Sequence, residues 1–148
     1  HQVMGVFDKK WVEPIAQVLQ KLGSKHVMVV HAEDGMDEIS IGADTFVAEL
    51  KDGVISTYTI KPEDFVMQRT DISQLTVSNA QQSLDIIKRV FAGEPGPARD
   101  IVVLNAGAAI YTADLADSLA EGVRQAKHFI DNGIAHQKLD ALITCSQL

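Results

Sequence analysis

"VMGVFDKKWVEPIAQVLQKLGSKHVMVVH", residues 3–31, places two short apolar runs on either side of a segment with helical periodicity. Val3 to Phe7 is too short for a helix and reads as a strand. Asp8 follows, and its carboxylate can accept hydrogen bonds from the free N–H groups that open a helix. From Lys9 to Leu22 the residues Trp11, Val12, Ile15, Val18, Leu19 and Leu22 recur at three- and four-residue spacing, which puts an apolar stripe, Trp11 included, against a core. Pro14 falls near the start, where the N–H it lacks has no partner to lose, and Gly23 suits a left-handed stop. "HVMVVH" carries three valines and no polar alternation, so it reads as a strand buried on both faces. Strand, helix and strand make a βαβ unit. In such sheets ligands collect beyond the carboxyl ends of the strands, and residues 31–38 lie at such an end.

Beyond this unit, "TFVAELKDGVISTYTI" holds two strand-like runs joined by Lys51-Asp52-Gly53, and Asp-Gly supplies the positive φ angles of a tight hairpin. "KPEDF" reads as a turn and Arg69 to Val77 as loop. Ser78 is placed to cap a helix with Ala80, Leu84, Ile87, Val90 and Phe91 on one face, stopped by Gly93, Pro95 and Pro97. "ARDIVVLNAGAAIYTA" is apolar on nearly all sides, as a central buried helix is. Asp114 is placed to cap an amphipathic helix that runs to Asp131, and a last helix spans about 135–144. The prediction is an α/β fold, with a mainly parallel sheet, a hairpin and surrounding helices, over residues 1–148 as one domain.

Composition narrows the function. The 148 residues carry a net charge of −7, so duplex nucleic acid meets a repulsive field, and no apolar run is long enough to span a bilayer. A single cysteine, Cys145, cannot form an internal disulfide. These features predict a cytoplasmic protein with neither nucleic-acid nor membrane partners. The start at His1, almost inside a strand, points to a truncated chain.

The chemistry centres on "HAEDGMDEIS". Asp37 and Glu38 are neighbours, and where a loop bends, adjacent carboxylates can converge on one centre; Gly35 gives the turn its freedom. Hard oxygen donors of this kind suit Mg²⁺, which takes one or two carboxylates and fills its shell with waters and phosphate oxygens. On spacing alone, a solvated acidic turn is the more frequent source of such a pattern, since acidic loops are common on surfaces. An EF-hand does not fit, since its alternating acids and closing glutamate are missing.

The other candidates read as structural. His31 is a strand-end residue, and His26, His128 and His136 lack zinc-site spacing. Cys145 has no base beside it in any nucleophile signature. Arg69 reads as a solvated charge, and Arg99 as a partner of Asp100 or Glu94. Asn105, polar within an apolar helix, must find partners, most simply the backbone of a neighbouring loop, with a supporting role behind the acidic turn as the alternative.

"GVFDKKWVEPIAQVLQKLGSKHVMVVHAEDGMDEIS", "VAELKDG", "YTIKPEDF", "GPARDIVVLNAGAAIY" and "DSLAEGVRQAKHFIDNGIAHQKLDAL" resemble, in order and spacing, the carboxyl-terminal part of the anthranilate phosphoribosyltransferase family. The resemblance implies the nucleoside phosphorylase/phosphoribosyltransferase-like fold. It also implies transfer of a phosphoribosyl group from phosphoribosyl pyrophosphate to anthranilate in tryptophan biosynthesis, with Mg²⁺ on the pyrophosphate held by the acidic pair at Asp37 and Glu38. The family's glycine-rich "GTGGD" loop, its "NxST" and "KHGN" segments, its anthranilate-facing arginine and its dimer-forming helical domain precede the part matched here. The full-length protein is therefore expected to be a homodimer, and these 148 residues alone are expected to be inactive. Two other readings remain open: a non-catalytic metal- or nucleotide-binding module on the same scaffold, and a pyrimidine nucleoside phosphorylase-like enzyme.

Overall fold

In the computed structural model, which describes residues 1–147, strand β1 (Gln2–Gly5) leads through a one-turn 3-10 segment (Lys9–Trp11) into helix α1 (Val12–Lys21) and then strand β2 (Val27–Ala32). The Asp8 side chain accepts from the Lys10 N–H at 3.0 Å and so caps the 3-10 segment rather than α1 itself, which follows Trp11 without a side-chain cap. Gly23 stops α1 at φ 86°. β1 and β2 pair in parallel, which completes the βαβ unit.

Strands β3 (Thr45–Lys51) and β4 (Val54–Ile60) extend the sheet in the order β1-β2-β3-β4. Asp52 and Gly53 close their hairpin with φ of 52° and 77°, the doubly left-handed turn that suits the twist of the strands. Both β2–β3 and β3–β4 are antiparallel, so the sheet is mixed where a mainly parallel one was expected. The reason lies in the 33–44 connection. It contains no helix to carry the chain back across the sheet, so β3 returns alongside β2.

Alternate residues of β2 face two cores, as its continuous valines require. Val27 and Val29 join Ala48 and Leu50 against Val12 and Ala16 of α1. Met28 and Val30 join Val47 against the helices on the other face. The Trp11 stripe is core only in part: Val12 is buried and Ile15 and Leu19 are half-buried, but Trp11, Val18 and Leu22 are exposed. Ala16, too small to count in the apolar pattern, lets the helix approach the sheet closely and shifts the buried face away from Trp11.

The second layer consists of α2 (Ala80–Phe91), α3 (Pro97–Thr112), α4 (Leu119–Asp131) and α5 (Ile134–Ser146). Two caps differ from expectation by a short slip along the chain. Asn79, not Ser78, caps α2 by accepting from Gln82 N at 2.9 Å, and Ser118, not Asp114, caps α4 by accepting from Glu121 N at 3.2 Å. Asp114 sits instead in a left-handed turn (φ 59°) after α3. α3 and α4 cross with their backbones nearly touching, since a β-carbon on Gly122 would lie 2.2 Å from the Gly107 carbonyl oxygen. Among the described residues, no helix is long and apolar enough to cross a membrane.

Candidate metal-binding site

The parallel strands β1 and β2 end side by side, with Gly5 in register with Val30, and the chain then turns through residues 32–36. Ala32 N donates to Met36 O at 3.0 Å and Gly35 N to Ala32 O at 3.0 Å, while Gly35 takes φ 90°. Asp34 is spent on this turn: it accepts from Met36 N at 3.2 Å and from the Ser40 hydroxyl at 2.5 Å. Asp37 and Glu38 come next, both exposed and, among the described residues, outside this hydrogen-bonded frame.

The backbone that carries them is fixed firmly. Ile39, Ser40 and Ile41 are buried immediately after the pair. Asn105, from the middle of α3, accepts from Ile39 N at 3.0 Å and donates to Ile39 O at 2.8 Å. Its second N–H reaches Ile101 O at 3.0 Å, so every polar group of the amide is used. A β-carbon on Gly5 would lie 1.4 Å from the Asp37 carbonyl oxygen, so β1 passes directly against the backbone of the acidic turn. Asn105 was legible as a residue in need of a loop partner. Gly5 was not, because a glycine inside a short apolar run carries no signal of what it faces.

Two hard, unengaged carboxylates on a rigid backbone suit Mg²⁺, which needs only one or two such ligands. They do not form a closed cage and leave the other coordination positions to water or to a ligand's oxygens.

The remaining candidates fall elsewhere. His31 donates to the Val6 carbonyl at 2.8 Å and tethers β2 to the residue that follows β1. Arg69 is not a free solvated charge, since it bridges Asp44 at 2.6 Å and Glu63 at 3.0 Å. The hydrogen bond from Arg69, helped by a backbone hydrogen bond, pulls the Glu63 carboxyl down to about 2. Arg99 pairs with Asp131 of α4 rather than with Asp100 or Glu94, because the helix crossing brings that residue opposite it. Its Nε is buried without a partner. A cleft of about 650 Å³ runs between residues 64–70, the start of α3 and α4, well away from the acidic pair in sequence.

A second polar cluster was not visible in the sequence. His26 is buried, with Nε2 2.9 Å from Glu49 Oε1 and Nδ1 2.6 Å from Asp114 Oδ1. Tyr58 donates to the other Glu49 oxygen at 2.8 Å. Burial works to raise the Glu49 carboxyl, but hydrogen bonds from Tyr111, Tyr58 and His26 outweigh it and hold it below its ordinary value. His1, His26 and Asp114 are the one group of three metal-ligating side chains gathered within 4.8 Å among the described residues. Both His26 nitrogens, however, are already taken by carboxylates at hydrogen-bond distance. The cluster stands at the opposite end of β2 from the acidic turn.

Fold and site together define a class. The chain belongs to the glycosyl transferase family, whose α/β-domain model matches residues 1–136. Within that class it is similar to the anthranilate phosphoribosyltransferases. The enzyme of Thioalkalivibrio sulfidiphilus is 58% identical over 144 residues, covering 97% of this chain and 43% of the relative, and that of Methylococcus capsulatus is 54% identical over 147 residues, covering 99% and 43%. The chain thus spans less than half the length of these relatives. Among solved structures, anthranilate phosphoribosyltransferase from Thermus thermophilus superimposes with a TM-score of 0.86 at 33% identity, over 95% of this chain and 41% of that one. The Saccharomyces cerevisiae enzyme in complex with phosphoribosyl pyrophosphate and Mg gives 0.88 at 21% identity, over 100% and 43%, and shares the fold.

Proposed function

We propose that this chain forms the cation-holding wall of an anthranilate phosphoribosyltransferase, a Mg²⁺-dependent enzyme that joins a phosphoribosyl group to the amino nitrogen of anthranilate and releases pyrophosphate. The observation that carries the reading is the exposed, unengaged pair Asp37 and Glu38, set on a fixed backbone at the carboxyl end of the parallel strands. The 50–58% identity to named anthranilate enzymes supports this substrate class over a nucleoside phosphorylase or a non-catalytic module.

In this reading, bound Mg²⁺ neutralises the charge that gathers on the departing pyrophosphate as the ribose C1 becomes cationic. Asp37 and Glu38 act as ligands rather than proton carriers. Their exposure leaves them open to an incoming metal–pyrophosphate unit, and the hydrogen-bonded turn fixes the backbone that carries them. The glycine-rich loop and the anthranilate contacts belong to the rest of the full-length protein.

The test is made in the full-length protein. Replacing Asp37→Asn and Glu38→Gln together is expected to lower kcat at least 100-fold at ordinary Mg²⁺ and to raise the Mg²⁺ concentration for half-maximal rate. An undiminished rate, with unchanged Mg²⁺ dependence, would overturn the reading.

A further inference from the structure

We propose that Asn105 and Gly5 are positioning residues for the acidic pair, holding the turn at Ile39 and at Asp37 so that both carboxylates meet one cation. This rests on the metal-binding reading of Asp37 and Glu38 given above.

Four observations converge. Asn105 binds the N–H and the C=O of one residue, Ile39, which directly follows Glu38. That is the two-way pairing of a strand neighbour, supplied here by a side chain. Its third bond, to Ile101 O at 3.0 Å, anchors the amide to its own helix and fixes which end is oxygen and which is nitrogen. α3 is in turn pressed against α4 through Gly107 and Gly122, so the amide is mounted on a support with little freedom to move. Finally, the backbone of Gly5 fills the space under the Asp37 carbonyl so closely that no side chain fits between them.

A loop without such contacts would let two adjacent carboxylates diverge, since neighbouring side chains on an extended chain point to opposite sides. A metal site held by a loop depends on the residues behind its ligands, and losing one such partner typically weakens metal affinity by about 10- to 100-fold. Neither Asn105 nor Gly5 touches substrate or cation in this arrangement. They act through the backbone of residues 37–39.

The experiment uses the full-length protein with Mn²⁺ as the probe and inorganic pyrophosphate present, following free Mn²⁺ by electron paramagnetic resonance and folding by circular dichroism. Asn105→Ser keeps a bond to the preceding helical turn but abandons Ile39, and Gly5→Ala intrudes on Asp37. Each folded variant is expected to bind Mn²⁺ about 10- to 100-fold more weakly than the parent while the KM for anthranilate stays unchanged. Folded variants that lose thermal stability but bind Mn²⁺ as the parent does would overturn the proposal and leave the two residues a purely structural role. Failure of both variants to fold would overturn it equally, because it would assign them to the fold. The Asp37→Asn, Glu38→Gln double variant separates the two claims. If it too binds Mn²⁺ normally, the metal reading itself falls; if it loses binding while the Asn105 and Gly5 variants keep theirs, only the positioning role falls.

Discussion

A β-branched residue in the left-handed region is costly, because its Cβ crowds the neighbouring carbonyl. Val66 stands there at φ 58°, with 97% of its surface exposed and no packing to offset the strain. The geometry is imposed by the turn, in which Val66 N donates to Glu63 O at 3.1 Å and Met67 N to Pro62 O at 3.1 Å. Val66→Gly is therefore expected to stabilise the protein by about 1 kcal/mol, the strain relieved less the added chain entropy, read as a higher urea midpoint at unchanged slope. "KPEDFVM" gave no warning of this, since valine there continues an ordinary pattern. Asn105 is the opposite case. An amide amid apolar neighbours must be satisfied, so its search for a loop backbone could be read in advance, although the particular loop could not. Asp37 and Glu38 were visible as a pair, but their freedom from other contacts depends on Asp34 taking the turn's hydrogen bonds, which spacing does not reveal.

Elements were legible where a local rule governs them. The Asp52-Gly53 hairpin, the Asp8 cap on the turn that leads into α1 and the doubly buried β2 all follow from turn chemistry, capping and valine content. The direction of β3 was less legible, because it depends on what the 33–44 connection does in three dimensions. The α3–α4 crossing belongs to the same scale. The small residues of "NAGAA" permit close packing, but the partner Gly122 sits in an ordinary amphipathic stretch. Gly122→Ala would drive a methyl group into the Gly107 carbonyl, a backbone atom that cannot turn aside as a side chain does. Stability is expected to fall by about 3 kcal/mol, measured by thermal or urea unfolding, while Ala126→Gly, farther along the same buried face, is expected to cost only about 1 kcal/mol through helix propensity and lost packing. Equal effects from the two changes would show that α3 and α4 do not cross in backbone contact.

On the scale of the whole molecule, the sheet and the helical layer are joined at one end by Asn105 and at the other by a cluster in which buried His26 and Glu49 meet half-buried Tyr58 and exposed Asp114. Because Glu49 is held below its ordinary value of 4.5, it contributes stability that is fully present above that pH and is lost as the pH falls through its folded value. Acid unfolding should therefore steepen below about pH 4.5, and Glu49→Gln should flatten that slope while lowering neutral-pH stability by roughly 1–3 kcal/mol as its charge-assisted hydrogen bonds weaken. A variant with the parent's acid profile would remove Glu49 from this role. The cluster escaped sequence reading because His26 and Glu49 are 23 residues apart and meet only through strand register. The proposed function was legible chiefly through resemblance; residue chemistry alone favoured a solvated turn over a metal site.

The tight turn at Asp52 and Gly53 lies at the end of β3 remote from Thr45, which abuts the loop bearing the two acids. Six steps of strand at about 3.3 Å each place it roughly 20 Å away. A fluorophore or affinity handle attached there would report on this molecule without disturbing its chemistry, and the same separation makes the turn a suitable donor position for distance measurements to a paramagnetic ion.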